Sequence, residues 1–247
     1  MAYAGSSCIY GKRVRGVIDE RAPPRPFNDY EQSKLNAEGV VRDAAAASGM
    51  EYVILRPAVV YGPRDERLRK LFNGVAKGRF PLFGKGEGRR HMVYVPDVAE
   101  AFLLACTEPA AAGQELIIAG PEAVPLRDML QTLAQLVNRR RCGPRFPLKP
   151  MLKLAAVTED VCHHFGVRPP IYRRRMDFYL NDAAFDCRRA QRVLGWTPKV
   201  DLREGLANTL RTYDTAQATS VWHSWAGVAT QAVAAAEIIG TGSQLVT

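Results

Sequence analysis

The run EYVILRPAVVYG, residues 51–62, is apolar and β-branched on both of the faces that a strand presents. A strand with one wet face alternates apolar and polar residues, so one that does not alternate belongs in the middle of a parallel sheet with helices on each side. The elements around it follow the same grammar. Upstream, AYAGSSCIYG reads as the end of a buried strand that runs through small residues and a Ser pair into a Gly turn. A loop from Val17 to Phe27, broken by Pro23, Pro24 and Pro26, separates it from a helix that starts with Asp29 as N-cap and runs to about Ala47. Downstream come a helix from Asp65 to Lys77, the glycine-rich LFGKGEGRR, a short strand HMVYV and a helix VAEAFLLACTE capped by Asp97. A strand QELIIAG and a helix from Leu126 to Asn138 follow. Strands alternating with helices predict an α/β fold built on a parallel sheet.

From Arg139 to Phe185 prolines punctuate short basic helices, which predicts a smaller lobe on the substrate side. The segment FDCRRAQRVLGWTPKVDLREGL returns to the core and leads into a last helix ending near Thr212. The expected division is residues 1–138, 139–213, and a loosely attached tail over 214–247, rich in Ala, Thr, Ser and Gly.

Composition closes off several function classes. A chain of 247 residues with 47% hydrophobic and 24% charged content is globular material. Its net charge of +9 favours anionic partners such as phosphates. The clusters Arg139–Arg141 and Arg173–Arg175 lack the interleaved aromatics of a nucleic-acid reader, so no nucleic-acid partner is expected. Five cysteines without a CxxC pair signal neither a disulfide framework nor a zinc site. In Cys162-His163-His164, adjacent side chains on a helix diverge and cannot easily share a metal. No apolar run approaches the ~18 residues needed to span a bilayer, and the N-terminus has no basic segment followed by an apolar core, so the expectation is a cytoplasmic chain with no membrane span.

The chemistry starts at Tyr30 and Lys34 in DYEQSK, four apart near the start of a helix and therefore on one face. A phenol with an ordinary pKa near 10 is a weak base at neutral pH, and a nearby ammonium lowers that value by stabilising the phenolate. Tyr30 could then exchange a proton with a substrate hydroxyl while hydride moves to or from a cofactor. Ser6 and Ser7 lie at the C-terminal end of a predicted strand, where α/β sheets place ligand-binding groups.

In order, SSCIYG, YEQSK, LRPAVVYGPRD, GRRHMVYVPDVAEA and LGWTPKVDLREGL resemble the extended short-chain dehydrogenases/reductases of the epimerase/dehydratase type, over residues 1–213. The resemblance implies a Rossmann-type doubly wound sheet with a small C-terminal substrate lobe. It implies NAD or NADP as cofactor, Tyr30 as acid/base, and Lys34 lowering its pKa and holding the nicotinamide ribose. Ser7 or Ser6 would polarise the substrate oxygen: only Cys8 and Ile9 stand where the family carries three residues, so counting from the left gives Ser7, the preferred one, and counting back from Tyr10-Gly11 gives Ser6. The backbone after Pro57, with Ala58, Val59 and Val60, would pack on the nicotinamide. Arg90 would bind a substrate pyrophosphate, as guanidinium does well, and Tyr61 joins it on the substrate side. Pro96 stands where the family usually has an Asp, and His91 is expected to be a loop or strand-edge residue rather than a catalyst.

A dinucleotide site also needs a Gly-rich turn between a strand and a helix. The glycines 84, 86 and 88 open no helix and are read as a loop near the substrate, so the expectation is a chain that lacks the first strands of its parent fold and is inactive alone. Three readings follow: an NAD(P)-dependent epimerase or dehydratase of a nucleotide sugar, a 3β-hydroxysteroid-dehydrogenase-like oxidoreductase, and a non-catalytic interaction fragment. The expected partner is a small-molecule substrate, and a homodimer is left open.

Overall fold

A computed structural model of the chain describes residues 1–11, 16–164, 167 and 173–214. The tail expected over 214–247 falls outside them beyond Asp214, as do Pro169 and Pro170 and the side chains of residues 173–175.

In chain order, β1 (Ala2–Ala4) leads into a 3-10 turn (Ser7–Tyr10), and α1 (Asp29–Ser48) follows. The 51–62 run divides into β2 (Val53–Pro57) and β3 (Val59–Tyr61). Then come α2 (Glu66–Ala76), β4 (Leu82–Phe83), β5 (Arg89–Tyr94), α3 (Val95–Thr107), β6 (Gln114–Ile118) and β7 (Ala123–Pro125). The remainder is α4 (Leu126–Leu136), β8 (Arg145–Phe146), α5 (Leu148–His164), α6 (Arg173–Leu180), α7 (Arg188–Leu194) and α8 (Leu202–Asp214).

β2 is central, paired in parallel with β1 on one side and β6 on the other, and all five of its residues are buried. Its lack of alternation therefore has the expected cause. The run breaks at Ala58, whose N–H donates to the Ile118 carbonyl at 2.8 Å. Past that point β3 leaves β2's sheet and pairs in parallel with β5, which pairs antiparallel with β7. β4 and β8 form a separate parallel pair, Leu82 opposite Arg145.

Two apolar clusters make the core. One holds Ile9, Leu55, Ile117, Phe185 and Trp196, and the other Phe72, Leu82, Leu126, Leu130 and Leu206. Each draws on residues from both sides of position 139, so residues 139–213 share the interior of the preceding part.

Two expected caps are displaced. α1 is capped by Asn28, whose side chain accepts from the Glu31 N–H at 3.0 Å, while Asp29 is its first residue. Glu31 reaches back to the Phe27 N–H at 2.7 Å, which fastens the chain just ahead of the cap. Asp97 is not the cap of α3 either, because that helix already begins at Val95. Its buried carboxylate accepts from the N–H groups of Lys199 and Val200, each at 3.2 Å, and its carbonyl accepts from the Trp196 indole at 2.9 Å. Asp97 thus ties the WTPKV segment to α3, a long-range bond that outranks local capping. Among the described residues no helix is long and apolar enough to cross a membrane, and no group of three or more His, Cys, Asp or Glu is placed to hold a metal ion.

Candidate active site

The Ser turn is set by Gly5, whose N–H donates to the Leu55 carbonyl at 2.8 Å. A β-carbon there would meet Glu38 Oε1 at 2.6 Å, so a side chain at this position would displace the buried Glu38 carboxylate. Ser6 then caps the 3-10 turn, accepting from the Cys8 N–H at 3.3 Å, and Ser7 is buried behind it. Tyr30 emerges from the first turn of α1 and is 58% exposed.

These groups face one cavity of about 400 Å³. Ser6, Ser7, Cys8 and Tyr30 line one part of it, and Pro57, Ala58, Val59 and Val60 another. The structure therefore brings together both serines, the tyrosine and the expected nicotinamide-side residues. Lys34 lines neither this cavity nor the larger one described below. It is one turn along α1, and its Nζ donates to the Ala4 carbonyl at 3.5 Å. Partial burial pushes the Tyr30 phenol above its ordinary value, Cys8 adds to this, and the cation that opposes it is Arg67. Lys34 stays beside the Ala4 carbonyl, and Arg67 comes to the phenol from α2.

Arg67 is held by the α2 cap, with its guanidinium donating to Asp65 at 2.8 Å and to the Val60 carbonyl at 3.2 Å. It borders the Ser–Tyr cavity and a second cavity of about 740 Å³. The larger cavity is lined by Leu68, Leu71, Phe80, Phe83, Phe178 and Tyr179, with Lys70, Arg79 and Arg67 adding cations.

Arg90 lies in the wall common to both cavities and is only 6% exposed. It donates to the carbonyls of Arg89, Asn181 and Phe178, and its guanidinium lies over the Phe178 ring at 5.4 Å. Burial pushes its pKa down to about 10, against the pull of Asp182. Tyr61, expected on the substrate side, lines neither cavity: it is buried against Tyr94 with ring centroids 5.5 Å apart, and its hydroxyl donates to the Asp201 carbonyl.

His91 is not at an edge but buried within β5. Its Nδ1 accepts from the Phe185 N–H at 3.0 Å, so Nε2 carries the proton and donates to the Gly120 carbonyl at 2.9 Å. Burial holds the imidazole below its ordinary value. Between the unfolded value of about 6.5 and the lower native one, the unfolded chain binds more protons, so the stability present above about pH 6.5 is lost as the pH falls. Urea unfolding from about pH 7.5 to 5 is expected to show a larger loss for the native protein than for His91→Gln, which cannot titrate. Parallel pH profiles would refute this role.

Behind the site, Arg56 on β2 is buried and binds three elements. It donates to both Glu38 carboxylate oxygens on α1, the closer at 2.7 Å, to the Tyr10 hydroxyl at 2.7 Å, and to Glu115 on β6. Burial pushes the Tyr10 phenol up to about 12. This network, together with Arg67 and Asn181, was missed by the sequence reading. A signal existed for Glu38 alone: it follows Lys34 by four residues and continues the Tyr30–Lys34 face.

Residues 1–120 match the profile of the NAD dependent epimerase/dehydratase family. The chain is 30% identical over 201 residues to an uncharacterized protein of Sinorhizobium fredii, an alignment covering 77% of this chain and 55% of that one. It is also 30% identical over 210 residues to the sterol-4-alpha-carboxylate 3-dehydrogenase, decarboxylating, of Schizosaccharomyces pombe, covering 80% and 61%. Among solved structures, MoeE5 in complex with UDP-glucose and NAD superposes with a TM-score of 0.64 at 27% identity, covering 86% of this chain and 64% of that one. The fold is thus Rossmann-type, and the chain belongs to the NAD dependent epimerase/dehydratase family of extended short-chain dehydrogenases/reductases. It spans about half to two thirds of the length of the relatives it matches.

Proposed function

We propose that this chain carries the proton-transfer and substrate-binding machinery of an NAD(P)-dependent epimerase or dehydratase acting on a nucleotide sugar. The observation that carries the reading is a pair of adjoining cavities, an aromatic one with cations and one holding the two serines and Tyr30, with Arg67 and Arg90 bordering both. Aromatic faces suit a base, guanidinium and ammonium groups suit a diphosphate, and hydroxyls suit the reacting sugar carbon.

The residues of the smaller cavity fit a nicotinamide. Pro57 to Val60 offer an apolar wall, and Ser6, Ser7 and Tyr30 offer hydroxyls. NAD(P), when bound, supplies the hydride acceptor and donor. Tyr30 Oη takes the proton of the substrate hydroxyl and returns it, and Ser7, or Ser6 beside it, hydrogen-bonds the same oxygen. Lys34, one turn along α1 and beside the Ala4 carbonyl, would hold the nicotinamide ribose. Arg67 stabilises the phenolate across the cleft.

A second reading, a hydroxysteroid-type substrate, is favoured by the 30% identity to the sterol dehydrogenase and by the apolar lining around Leu68, Leu71 and Phe80. It needs no cation at a phosphate. Calorimetric titration with UDP, GDP and dTDP sugars, beside a 3β-hydroxysteroid, separates the two. The expected result is micromolar binding of one nucleotide sugar, weakened about tenfold or more in Arg90→Lys, which keeps the charge but loses the planar fork. Binding of the steroid alone would overturn the proposal.

A further inference from the structure

We infer that Asn181 is a specificity-determining residue that accepts a hydrogen bond from a second substrate hydroxyl, one that does not react. The inference rests on the nucleotide-sugar reading above. Asn181 borders both cavities, so it stands where the reacting part of a substrate meets the rest. Its Oδ1 is a buried oxygen with no hydrogen-bond partner, and no other buried side-chain atom among the described residues shares that condition. Buried acceptors are nearly always paired, and a folded chain that keeps one unpaired gives up stability at that point.

The backbone beneath the side chain is fixed. Arg90 donates to the Asn181 carbonyl, the Ala183 N–H donates to Arg89 O at 3.2 Å, and Gly88 packs so closely on the Asn181 carbonyl that a β-carbon there would collide with it. Asp182, the next residue, is held by Arg89 at 2.8 Å. A pinned main chain with an unpaired side-chain oxygen differs from a residue that serves the fold through its amide. The outer torsion of an asparagine is soft, so the oxygen turns to the cavity wall at little cost when a donor is present. A sugar supplies such donors on the carbons flanking the one that reacts. A site that offers an acceptor to a hydroxyl discriminates against the analogue lacking it, because the acceptor is then left unpaired.

The test uses calorimetry on the chain with UDP, UDP-glucose and the singly deoxygenated UDP-glucose analogues, in wild type, Asn181→Leu and Asn181→Asp, beside thermal melts. The expectation is that one deoxy analogue binds wild type about three- to tenfold more weakly than UDP-glucose, the range one hydrogen bond spans. That gap closes in Asn181→Leu and persists in Asn181→Asp, which keeps an acceptor. UDP itself binds all three alike, and Asn181→Leu melts no lower than wild type. A gap that survives in Asn181→Leu, the absence of any gap in wild type, or a lowered melting temperature of the Leu variant overturns the assignment. Failure of UDP and UDP-glucose to bind wild type at all overturns the nucleotide-sugar reading instead, and this inference falls with it.

Discussion

Arg56→Met is expected to cost about 3–5 kcal/mol of unfolding free energy, the largest stability loss of any single change considered. The substitution leaves Glu38, which is fully buried, facing apolar surroundings with its principal counter-charge gone. Arg42, 3.8 Å from the same carboxylate, is already engaged with Glu115 and is too far for a direct replacement. The Tyr10 hydroxyl loses its donor as well. Chemical denaturation followed by circular dichroism measures the loss. The double variant Arg56→Met/Glu38→Leu should recover much of it, since removing both charges also removes their desolvation. A single variant within about 1 kcal/mol of wild type would show that the cluster is solvated in solution.

With the first strands and Gly-rich turn of the parent fold supplied, Tyr30→Phe is expected to reduce turnover by about 10²–10⁴-fold, the range that positioned acid–base groups supply. The change removes one oxygen and keeps the ring, so affinity for nucleotide sugar and cofactor should stay within about threefold. The pH profile carries the sharper test. The phenol sits above its ordinary value, so in the alcohol-oxidising direction the rate should keep climbing through the alkaline range as the phenolate forms. Arg67 pulls the phenol down, and Arg67→Gln should move that limb to still higher pH. Substantial activity in Tyr30→Phe, or an unmoved limb in Arg67→Gln, would sink the assignment of roles.

The sequence was most legible where one physical pattern ruled a segment. The non-alternating run at 51–62 announced a central parallel strand, and β2 is buried along its whole length between β1 and β6. Tyr30, the serines and Pro57–Val60 could be grouped beforehand because short motifs fix them next to strand ends and helix starts, and they do share one cavity. What could not be read depends on contacts distant in sequence. Asp97 looked like a local cap, yet its partners lie about a hundred residues on, at Lys199 and Val200. His91 looked peripheral because nothing nearby in sequence reveals the bonds to Gly120 and Phe185. Tyr61 shares the β3 run with Val59 and Val60, but its ring is buried against Tyr94 and its hydroxyl bonds to the Asp201 carbonyl, partners that nothing nearby in sequence reveals. Arg67 and Asn181 had no motif at all; only the meeting of α2 with the segment after α6 makes them neighbours of the cleft.

The break at Ala58 makes the two chambers one mechanical unit. The wall of the smaller cavity and the strand that feeds α2 are consecutive residues, and Arg67 grips that same wall through the Val60 carbonyl. A ligand that draws α2 inward must therefore pull on residues 57–60, and a ligand seated on those residues stiffens the approach to α2. The wall of one chamber and the anchor of the helix that borders the other thus rest on the same stretch of backbone.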